Sequence, residues 1–428
     1  MKILVLSSTP WSEDNSFGNS FSNIFEGIED IEVANISCRP GHPTSYLVKR
    51  YFQITEKALI KNIFDKSFPT GKEIKVDLKE SNSSFSQDVK ARNFGRKNRW
   101  QILFWMRDLI WSLGRWKSQA LVDFIDDFKP DIIFQPVYFS SYLNDMVNFI
   151  KKHTNAPMIG YISDDNYTLK QFSLSPLYWI DRLYKRRKVK RTIEQCELLY
   201  VISDVQKKEY EKIFTPPCKV LTKCADFSDD KKPPFKKPDD VLKMVYAGNV
   251  SEGRYEILAE LAAATEKINA DKKKLQLDIY TLTPMNENKK RVFKTDSVQL
   301  HPPVSYEEIR EIQKNSDILI HAEGFSLKEK LAVHQSFSTK IVDYLETNRC
   351  ILAVGDDYCA SIQYFIENKC GAVATAKDDI EKELLKLINN RNLLEKYAEN
   401  GWKSGKKHHH KPVVQNMVKC DLVKLRKG

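Results

Sequence analysis

Residues 337–345, FSTKIVDYL, contain the side chains of a phosphate-binding site at spacings that suit a helix start. Ser338 or Thr339 can cap the helix, and Lys340 lies in its first turn, so N–H groups, helix dipole and ammonium group converge. One turn later, the carboxylate of Asp343 can accept hydrogen bonds from ribose hydroxyls. The segment predicts a site for a nucleoside diphosphate. The alternative is an ordinary helix start that binds nothing.

A second phosphate-binding candidate follows the strand-like run 243–247. Gly248 would let the backbone approach a diphosphate closely, because it has no side chain. Asn249 comes next, and Arg254 adds a positive charge at the start of the following helical pattern. The structural alternatives are a tight turn at Gly248 and a solvated helix-start residue at Arg254.

Two adjacent carboxylates are candidates for acid–base chemistry. Asp164 and Asp165 follow the strand-like run 158–162. Either one would place an acceptor or take up its proton, a role that requires contact within ~3 Å or through one water. Capping of the next helix is an equal alternative. A metal site is disfavoured, because neighbours in sequence rarely form a complete set of ligands.

Alternating strands and helices position these residues. In the first half of the chain, strand-like runs occupy residues 2–7, 31–36, 132–134, 158–162 and 198–202. In the second half they occupy residues 243–247, 276–280, 298–300, 318–321, 351–354 and 372–375. This alternation favours parallel sheets covered by helices, with ligands beyond the carboxyl ends of the strands.

The chain is long enough for two or three domains, at 428 residues. A Pro- and Lys-rich stretch separates the two series of strands, so we predict an α/β fold of two Rossmann-like, doubly wound domains facing across a cleft. The predicted divisions are an N-terminal domain at 1–228, a linker at 229–240, a C-terminal domain at 241–410 and a helix at 411–428 that packs back on the N-terminal domain.

The formal net charge of +11 indicates an anionic partner. No zinc-finger or helix-turn-helix pattern organises the charge, so nucleic acid is not expected. The eight cysteines lack paired zinc spacing and suggest reduced thiols in a cytoplasmic protein. His408, His409 and His410 are interpreted as a solvated basic surface and not as a metal site. We expect neither a signal peptide nor a membrane span.

Two segments suggest contact with an anionic membrane. Residues 96–117 form a predicted helix that mixes four tryptophans with basic residues, and residues 184–191, YKRRKVKR, form a basic run. Such a helix either lies in a membrane interface or packs its apolar stripe on the sheet. A basic run is usually a solvated face, but it also attracts anionic lipid. Residues 70–90 are polar and are predicted to form a loop.

Several segments together resemble the group 1, or family 4-like, glycosyltransferases. They are residues 247–254, 338–345, 201–204, 301–308 and 317–321, with a looser match at 9–11 and 18–19. The resemblance is to bacterial members that act on cell-surface polysaccharides. It implies a GT-B fold, with the acceptor on the N-terminal domain and a nucleotide-diphosphate sugar on the C-terminal domain. It further implies a retaining transfer without a metal, in which Arg254 and Lys340 neutralise the diphosphate.

This sequence departs from the pattern of those enzymes at three places. Asp343 takes the position of a glutamate that contacts ribose. The first glutamate of the pattern has no clean equivalent, and Glu323 is our candidate to approach the donor sugar or the reacting centre. A histidine that many relatives carry at an N-terminal strand end is absent. We therefore weigh Glu323, Asp164 and Asp165 as the catalytic candidates.

The predicted function is transfer of a sugar from a nucleotide donor to a saccharide or lipid-linked acceptor. No cofactor is expected besides this donor, and the predicted location is cytoplasmic, at the inner face of the plasma membrane. One alternative is a catalytically silent GT-B protein that binds nucleotide sugar or polysaccharide and scaffolds an assembly. Another is a nucleotide-sugar epimerase of the same fold. The nucleobase, sugar, acceptor and linkage stay open.

Overall fold

The structure is a computed structural model that describes residues 1–12, 15–74 and 101–427. Two α/β domains, each built on a largely parallel sheet, follow one another along the chain. The predicted fold class of two doubly wound domains is confirmed.

The N-terminal sheet has eight strands in the order β4-β3-β2-β1-β5-β6-β7-β8. Only β4 runs antiparallel to its neighbour, β3. The strands are β1 (Lys2–Ser7), β2 (Glu32–Ser37), β3 (Val48–Ile54), β4 (Gly71–Ile74), β5 (Ile132–Pro136), β6 (Met158–Ile162), β7 (Leu198–Val201) and β8 (Cys218–Val220). Of the three strands that the sequence did not predict, β4 and β8 form the two edges, where polar side chains and short lengths are tolerated, and β3 lies next to β4.

Seven helices cover the N-terminal sheet within the described residues. They are α1 (Ser16–Phe25), α2 (Glu56–Phe64), α3 (Gln101–Leu113), α4 (Gln119–Phe128), α5 (Ser141–Thr154), α6 (Pro176–Ile193) and α7 (Asp204–Tyr210). Serine side chains cap α4, α6 and α7 by accepting a first-turn N–H. The caps fix where these helices leave the loops that follow the strands.

Two predictions in this domain need correction. The predicted loop 70–90 is wrong at residues 71–74, which form strand β4, and its remainder from 75 lies outside the described residues. The helix predicted at 96–117 spans Gln101–Leu113 in the structure. Residues 96–100 lie outside the described residues. Trp111 and Trp116 are buried in the domain core, while the opposite face of α3 is exposed.

The C-terminal sheet has six parallel strands in the order β11-β10-β9-β12-β13-β14. They are β9 (Leu242–Ala247), β10 (Leu275–Tyr280), β11 (Val298–His301), β12 (Ile318–Ala322), β13 (Cys350–Val354) and β14 (Ala372–Ala374). In this sheet, β10 and β11 lie on one side of β9, and β12, β13 and β14 lie on its other side. A crevice for a ligand is therefore expected beyond the carboxyl ends of β9 and β12.

The helices of the C-terminal half, except the last one, flank this crevice or the sheet. They are α8 (Arg254–Ile268), α9 (Glu287–Arg291), α10 (Tyr306–Lys314), α11 (Leu327–Val333), α12 (Thr339–Glu346), α13 (Ala360–Asn368), α14 (Lys377–Asn389), α15 (Asn392–His408) and α16 (Lys411–Lys427). Within the described part of the chain, no helix combines the length and the apolar character needed to cross a bilayer.

The last helix, α16, packs on the N-terminal domain. The Tyr200 hydroxyl donates a hydrogen bond to the Asp421 carboxylate at 2.7 Å, and Gln415 donates to the carbonyl of Asn23 at 3.2 Å. Both contacts join residues that are about 200 or more positions apart. The chain therefore crosses from the second sheet back to the first after α15.

One of the three consecutive histidines contradicts the predicted solvated surface. His409 is only 3% exposed, and its two ring nitrogens face the Thr222 and Tyr364 hydroxyls at 2.8 and 3.0 Å. Burial, with a smaller contribution from the neighbouring His408, lowers the pKa of His409 to about 3. This histidine is a neutral packing residue at the junction of the two domains, where the chain crosses back.

Candidate functional site

The loops beyond β9 and β12 bring the predicted phosphate-binding residues together. The Lys340 ammonium group donates a hydrogen bond to the Ala247 carbonyl at 3.1 Å, at the end of β9. A Cβ added to Gly248 would lie only 1.9 Å from Lys340 Nζ. Glycine is therefore needed at 248 for the lysine to occupy this position. Lys340 and Ala247, which are 93 positions apart in the sequence, are thus neighbours in the crevice. We call the positively charged part of the crevice around Lys340 and Arg254 the cationic corner.

Arg254 is held rigidly at the same crevice. Its Nη2 donates to Glu323 Oε2 at 2.8 Å, and its Nε donates to the Ala322 carbonyl at 3.1 Å. Because these contacts hold the guanidinium group at the end of β12, its charge has a fixed position. The predicted alternative of a solvated helix-start residue does not describe this arrangement, since only 19% of the side chain is exposed.

Glu323 directly follows β12 and pairs with Arg254. It is 4% exposed, and burial raises its pKa, although the adjacent charge of Arg254 opposes that effect. His321 Nε2 is 3.5 Å from Glu323 Oε1 and has no hydrogen-bond partner among the described residues. Burial, followed by the charges of Arg254 and Lys340, lowers the pKa of His321 to about 3. The histidine is therefore neutral near pH 7.

Two cations, Arg254 and Lys340, share the crevice with two carboxylates. Arg254 contacts the buried Glu323 and also lies 3.2 Å from Glu252, whose side chain is 62% exposed. Burial, with the nearby charge of Arg254, lowers the pKa of Lys340. This direction shows that the protonated lysine is under electrostatic stress, because little water and a second cation surround it. The negative charge of an anion that enters the crevice would offset both effects, because an opposite charge nearby favours the protonated lysine. The site is therefore suited to a diphosphate.

Two helix N-termini also point into this region without a side-chain cap. Helix α12 has Ser338 at its N-cap position, but the predicted side-chain cap is wrong, because no side chain accepts a first-turn N–H there. Helix α8 has Gly253 at its N-cap position, which has no side chain to form a cap. Gly253 adopts φ +77°, a left-handed conformation that favours glycine. By contrast, α10 and α11 have complete capping boxes. The first-turn N–H groups that begin at Thr339 remain available for an anion.

Asn249 shapes the loop between β9 and α8. Its side-chain oxygen accepts hydrogen bonds from the Ser251 N–H at 2.7 Å and the Thr283 hydroxyl at 3.0 Å. The Tyr246 hydroxyl donates to its carbonyl at 2.5 Å. In this structure Asn249 arranges the loop, and a contact with nucleotide stays a prediction.

Asp343 does not lie open beside the phosphate-binding residues. Its Oδ1 accepts a hydrogen bond from Lys223 Nζ at 2.6 Å and is 3.6 Å from Arg310 Nη1. Lys223 belongs to the N-terminal half of the chain, so the carboxylate takes part in a contact between the domains. A ribose hydroxyl would have to share this carboxylate with the lysine.

The two adjacent aspartates have different surroundings. Asp165 accepts the N–H groups of Tyr167 and Thr168 at 3.1 and 2.7 Å, and its side chain pairs with Arg182 at 3.4 Å. These contacts fix a loop inside the N-terminal domain, so the structure does not place Asp165 with the other candidates.

Asp164, by contrast, faces the C-terminal domain, where the Ser336 hydroxyl lies 3.4 Å from its Oδ1. The side chain reaches solvent in the cleft, but protein surrounds it closely. This partial desolvation raises the Asp164 pKa, although hydrogen bonds from Ser163 and Ser336 oppose it. A carboxylate with a raised pKa is better suited to accept a proton near neutral pH.

The loop just before α12 connects the two domains through hydrogen bonds. The Ser203 hydroxyl donates to the Gln335 carbonyl at 2.6 Å, and the Gln335 amide donates to Glu209 at 2.6 Å. His334 Nε2 contacts the same Glu209 carboxylate at 2.9 Å. These contacts hold Asp164 opposite the phosphate-binding crevice.

Sequence reasoning missed His321 and this interdomain loop. A polar residue inside the apolar strand ILIHA was a usable signal for His321, because a buried histidine in a strand end needs a reason. Gln335 gave no signal, since its partners lie more than 100 residues away. Among the described residues, no three His, Cys, Asp or Glu side chains are grouped as metal ligands.

Several solved structures share this fold, and a glycosyltransferase is among them. TarM aligns with a TM-score of 0.52 at 13% identity, over 72% of this chain and 58% of TarM, so this chain spans little more than half of TarM. WaaG, a glycosyltransferase involved in lipopolysaccharide biosynthesis, aligns with a TM-score of 0.55 at 10% identity, over 97% of this chain and 98% of WaaG. HepE of Anabaena, in complex with UDP, aligns with a TM-score of 0.63 at 10% identity, over 99% and 100% of the two chains.

Sequence comparison gives no comparable result, because no protein-family model and no curated protein sequence matches this chain significantly. The structural likeness at 10 to 13% identity establishes the fold alone. That fold is GT-B, as the sequence predicts.

Proposed function

We propose that this protein is a group 1-type glycosyltransferase that moves a sugar from a nucleoside-diphosphate donor to a saccharide or lipid-linked acceptor. The observation that carries the proposal is the pair of partly buried cations, Arg254 and Lys340, at the carboxyl ends of β9 and β12. Uncapped helix N-termini adjoin them. The complexes of HepE with UDP and UDP-glucose show that a protein of this fold binds such a donor.

The cationic corner accounts for departure of the diphosphate. As the bond between the anomeric carbon and the diphosphate oxygen breaks, negative charge grows on that oxygen. Arg254, Lys340 and the N–H groups of α12 stabilise this charge from fixed positions. Because these groups supply the neutralisation, the transfer needs no divalent ion in this proposal.

The acceptor enters from the N-terminal side of the cleft. Its hydroxyl oxygen forms the new bond to the anomeric carbon, and its proton passes to Asp164 or to the departing phosphate. Glu323 accepts hydrogen bonds from the donor sugar and, through Arg254, keeps the cationic corner in place. Retention of the anomeric configuration and a role in surface polysaccharide synthesis are inferred from the resemblance to bacterial group 1 enzymes.

A second candidate function is a silent GT-B protein that binds nucleotide sugar and scaffolds an assembly. The observation that favours it is the Asp343–Lys223 ion pair, which occupies the carboxylate expected to contact ribose. A binding protein tolerates this arrangement more easily than an enzyme, because it has no transition state to stabilise.

Donor binding and donor turnover separate these functions. Thermal-shift and calorimetric titrations with UDP, GDP and dTDP, and with their sugars, identify the nucleotide. Release of the nucleoside diphosphate, with and without candidate acceptors, then measures turnover in chelator-treated buffer. The enzyme proposal expects release that Lys340→Met abolishes and the surface variant Lys396→Met does not change.

Binding without any release supports the silent protein. An absence of binding by every nucleotide contradicts both functions. Turnover that chelators abolish contradicts the metal-independent transfer.

A further inference from the structure

Helices α3 and α6 lie side by side on the surface of the N-terminal domain. Trp105 of α3 donates its indole N–H to Asp181 of α6 at 3.0 Å. Lys185 of α6 lies 3.3 Å from Asp108 of α3. A groove of about 550 Å³ runs between the helices and is lined by Leu109 and other residues of both. The two helices therefore present one continuous surface, which we call the α3–α6 face.

The exposed side of α3 is apolar. Leu103, Met106, Leu109 and Leu113 are 41, 55, 57 and 56% exposed, at spacings of three or four residues that place them on one side of the helix. Trp111, which is buried, occupies the opposite side. This helix thus has a second apolar stripe that the domain core does not use.

The exposed side of α6 changes from apolar to basic along its length. Ile180 and Tyr184 are 59 and 52% exposed. Arg187 and Arg191 continue the same side at spacings of three and four residues and are also exposed. Lys190 is exposed beside them.

The acidic residues of the two helices are turned inward and paired. Asp181 is 6% exposed, and Lys185 Nζ donates to its carboxylate at 3.0 Å. Asp108 shares the same lysine. The outer charges of α6 are consequently all positive. Eight of the 22 large hydrophobic side chains exposed in the described residues lie on these two helices, so the apolar surface is concentrated here.

We infer that the α3–α6 face docks on an anionic lipid bilayer, with its leucines and Ile180 in the interface and the basic end of α6 on the headgroups. Aliphatic stripes on a helix that lies flat, followed by exposed arginine and lysine, match the two layers of such a surface. A protein partner would need matching acidic side chains next to an apolar groove. The bilayer supplies both properties over the whole length of α6.

The inference goes beyond sugar transfer, because it names a surface and its partner, and it does not depend on the transfer reaction. The loop that carries Asp164 precedes α6 in the chain and is tied to it by Arg182, which donates to the Thr168 carbonyl at 2.7 Å. Docking through α6 would therefore hold the acceptor side of the cleft near the lipid surface. A lipid-linked acceptor would reach the cleft without leaving the bilayer.

Vesicle co-sedimentation tests the basic part of this face. The full-length protein is mixed with vesicles of phosphatidylcholine alone or with phosphatidylglycerol, at low and high salt. We expect binding only to the anionic vesicles, weakened by salt. Because each basic residue near the surface contributes about fivefold, the triple variant R187Q/K190Q/R191Q should lose roughly 100-fold in partitioning. The control K272Q/K396Q/K407Q removes the same charge from exposed positions elsewhere and should bind like the wild type.

A second variant tests the apolar part. M106Q/L109Q/I180Q should weaken binding at every salt concentration, whereas the control I366Q/V413Q, exposed elsewhere on the surface, should not. Circular dichroism and the Tm establish that each variant is folded.

Failure to bind anionic vesicles overturns the inference, as does equal loss of binding in the controls. Self-association of the wild type that M106Q/L109Q/I180Q abolishes would assign the face to a second copy of this chain and also overturns it. Donor turnover is measured separately, so a failure of the proposed transfer is distinguishable from a failure of membrane docking.

Discussion

Replacement of Lys340 by methionine should separate ligand affinity from stability. Methionine retains most of the side-chain volume but removes the ammonium group that lies 3.1 Å from the Ala247 carbonyl. In the ligand-free protein the lysine is desolvated and close to Arg254, and both causes lower its pKa. Loss of this charge relieves the repulsion, which offsets the lost hydrogen bond. We expect the free energy of unfolding of the free protein to change by no more than about 1 kcal/mol.

The affinity for a nucleoside diphosphate should change far more. A charge-assisted hydrogen bond to a phosphate oxygen contributes about 1.5–3 kcal/mol, and each 1.4 kcal/mol is a factor of ten in Kd. Lys340→Met should therefore weaken binding by about 10- to 150-fold. Arg254 and the N–H groups of α12 remain, so some binding should persist.

Isothermal titration calorimetry with the preferred nucleoside diphosphate measures the affinity, and urea unfolding of the free protein measures the stability. Lys396→Met, at an exposed position of α15, serves as the control for loss of a lysine. Unchanged affinity in Lys340→Met would refute the phosphate-binding role of this crevice. A large loss of stability would refute the argument that the lysine is under electrostatic stress in the free protein.

Three further predictions concern neighbouring residues. Gly248→Ala should weaken nucleotide binding at least tenfold in the same titration, because its Cβ would displace the ammonium group of Lys340; binding equal to the wild type would argue against this geometry. Asp165→Ala should lower the free energy of unfolding in urea by about 3 kcal/mol, since it leaves a buried arginine unpaired. Asp164→Ala should retain stability and lose acceptor-dependent turnover. The opposite pattern would exchange the roles of the two aspartates. Burial lowers the pKa of His321 from 6.5 to about 3, so below pH 6.5 the unfolded chain binds a proton that the folded chain does not bind. The free energy of unfolding should therefore fall as the pH drops from 6.5 towards 3, by at most about 5 kcal/mol. His321→Asn should flatten this part of the pH–stability curve, and an unaltered slope would contradict the buried neutral state.

The strand–helix rhythm and the phosphate-binding segments could be predicted because their signals are local. Apolar runs of four to six residues indicate buried strands wherever they occur. Lys340 and Arg254 could be named because each lies in the first turn of a helix, where a positive side chain adjoins the free N–H groups. The edge strand β4 and its neighbour β3 could not, since their sequences GKEI and VKRYFQI carry polar residues that weaken the apolar signal of a strand.

The two adjacent aspartates show where local reasoning stops. Asp164 and Asp165 have the same chemistry and nearly the same sequence context, so the sequence left acceptor placement and loop capping equally open. The structure distinguishes them by partners that are 17 and 172 residues away, namely Arg182 and Ser336. Likewise, nothing near Asp343 in the sequence indicates the Lys223 that pairs with it across the domains.

The sequence by itself determined the two-domain α/β architecture and the helix start with a lysine at 338–340, because hydrophobic periodicity and helix-start signals act over a few neighbouring residues. The absence of a side-chain cap there came from the structure. Only the tertiary structure decided that Gly248, Arg254, Glu323 and Lys340 share one crevice, that His321 and His409 are buried and neutral, and that α3 presents leucines outward. These properties depend on which distant surfaces pack together. Burial and charge pairing are set by that packing and not by residue type.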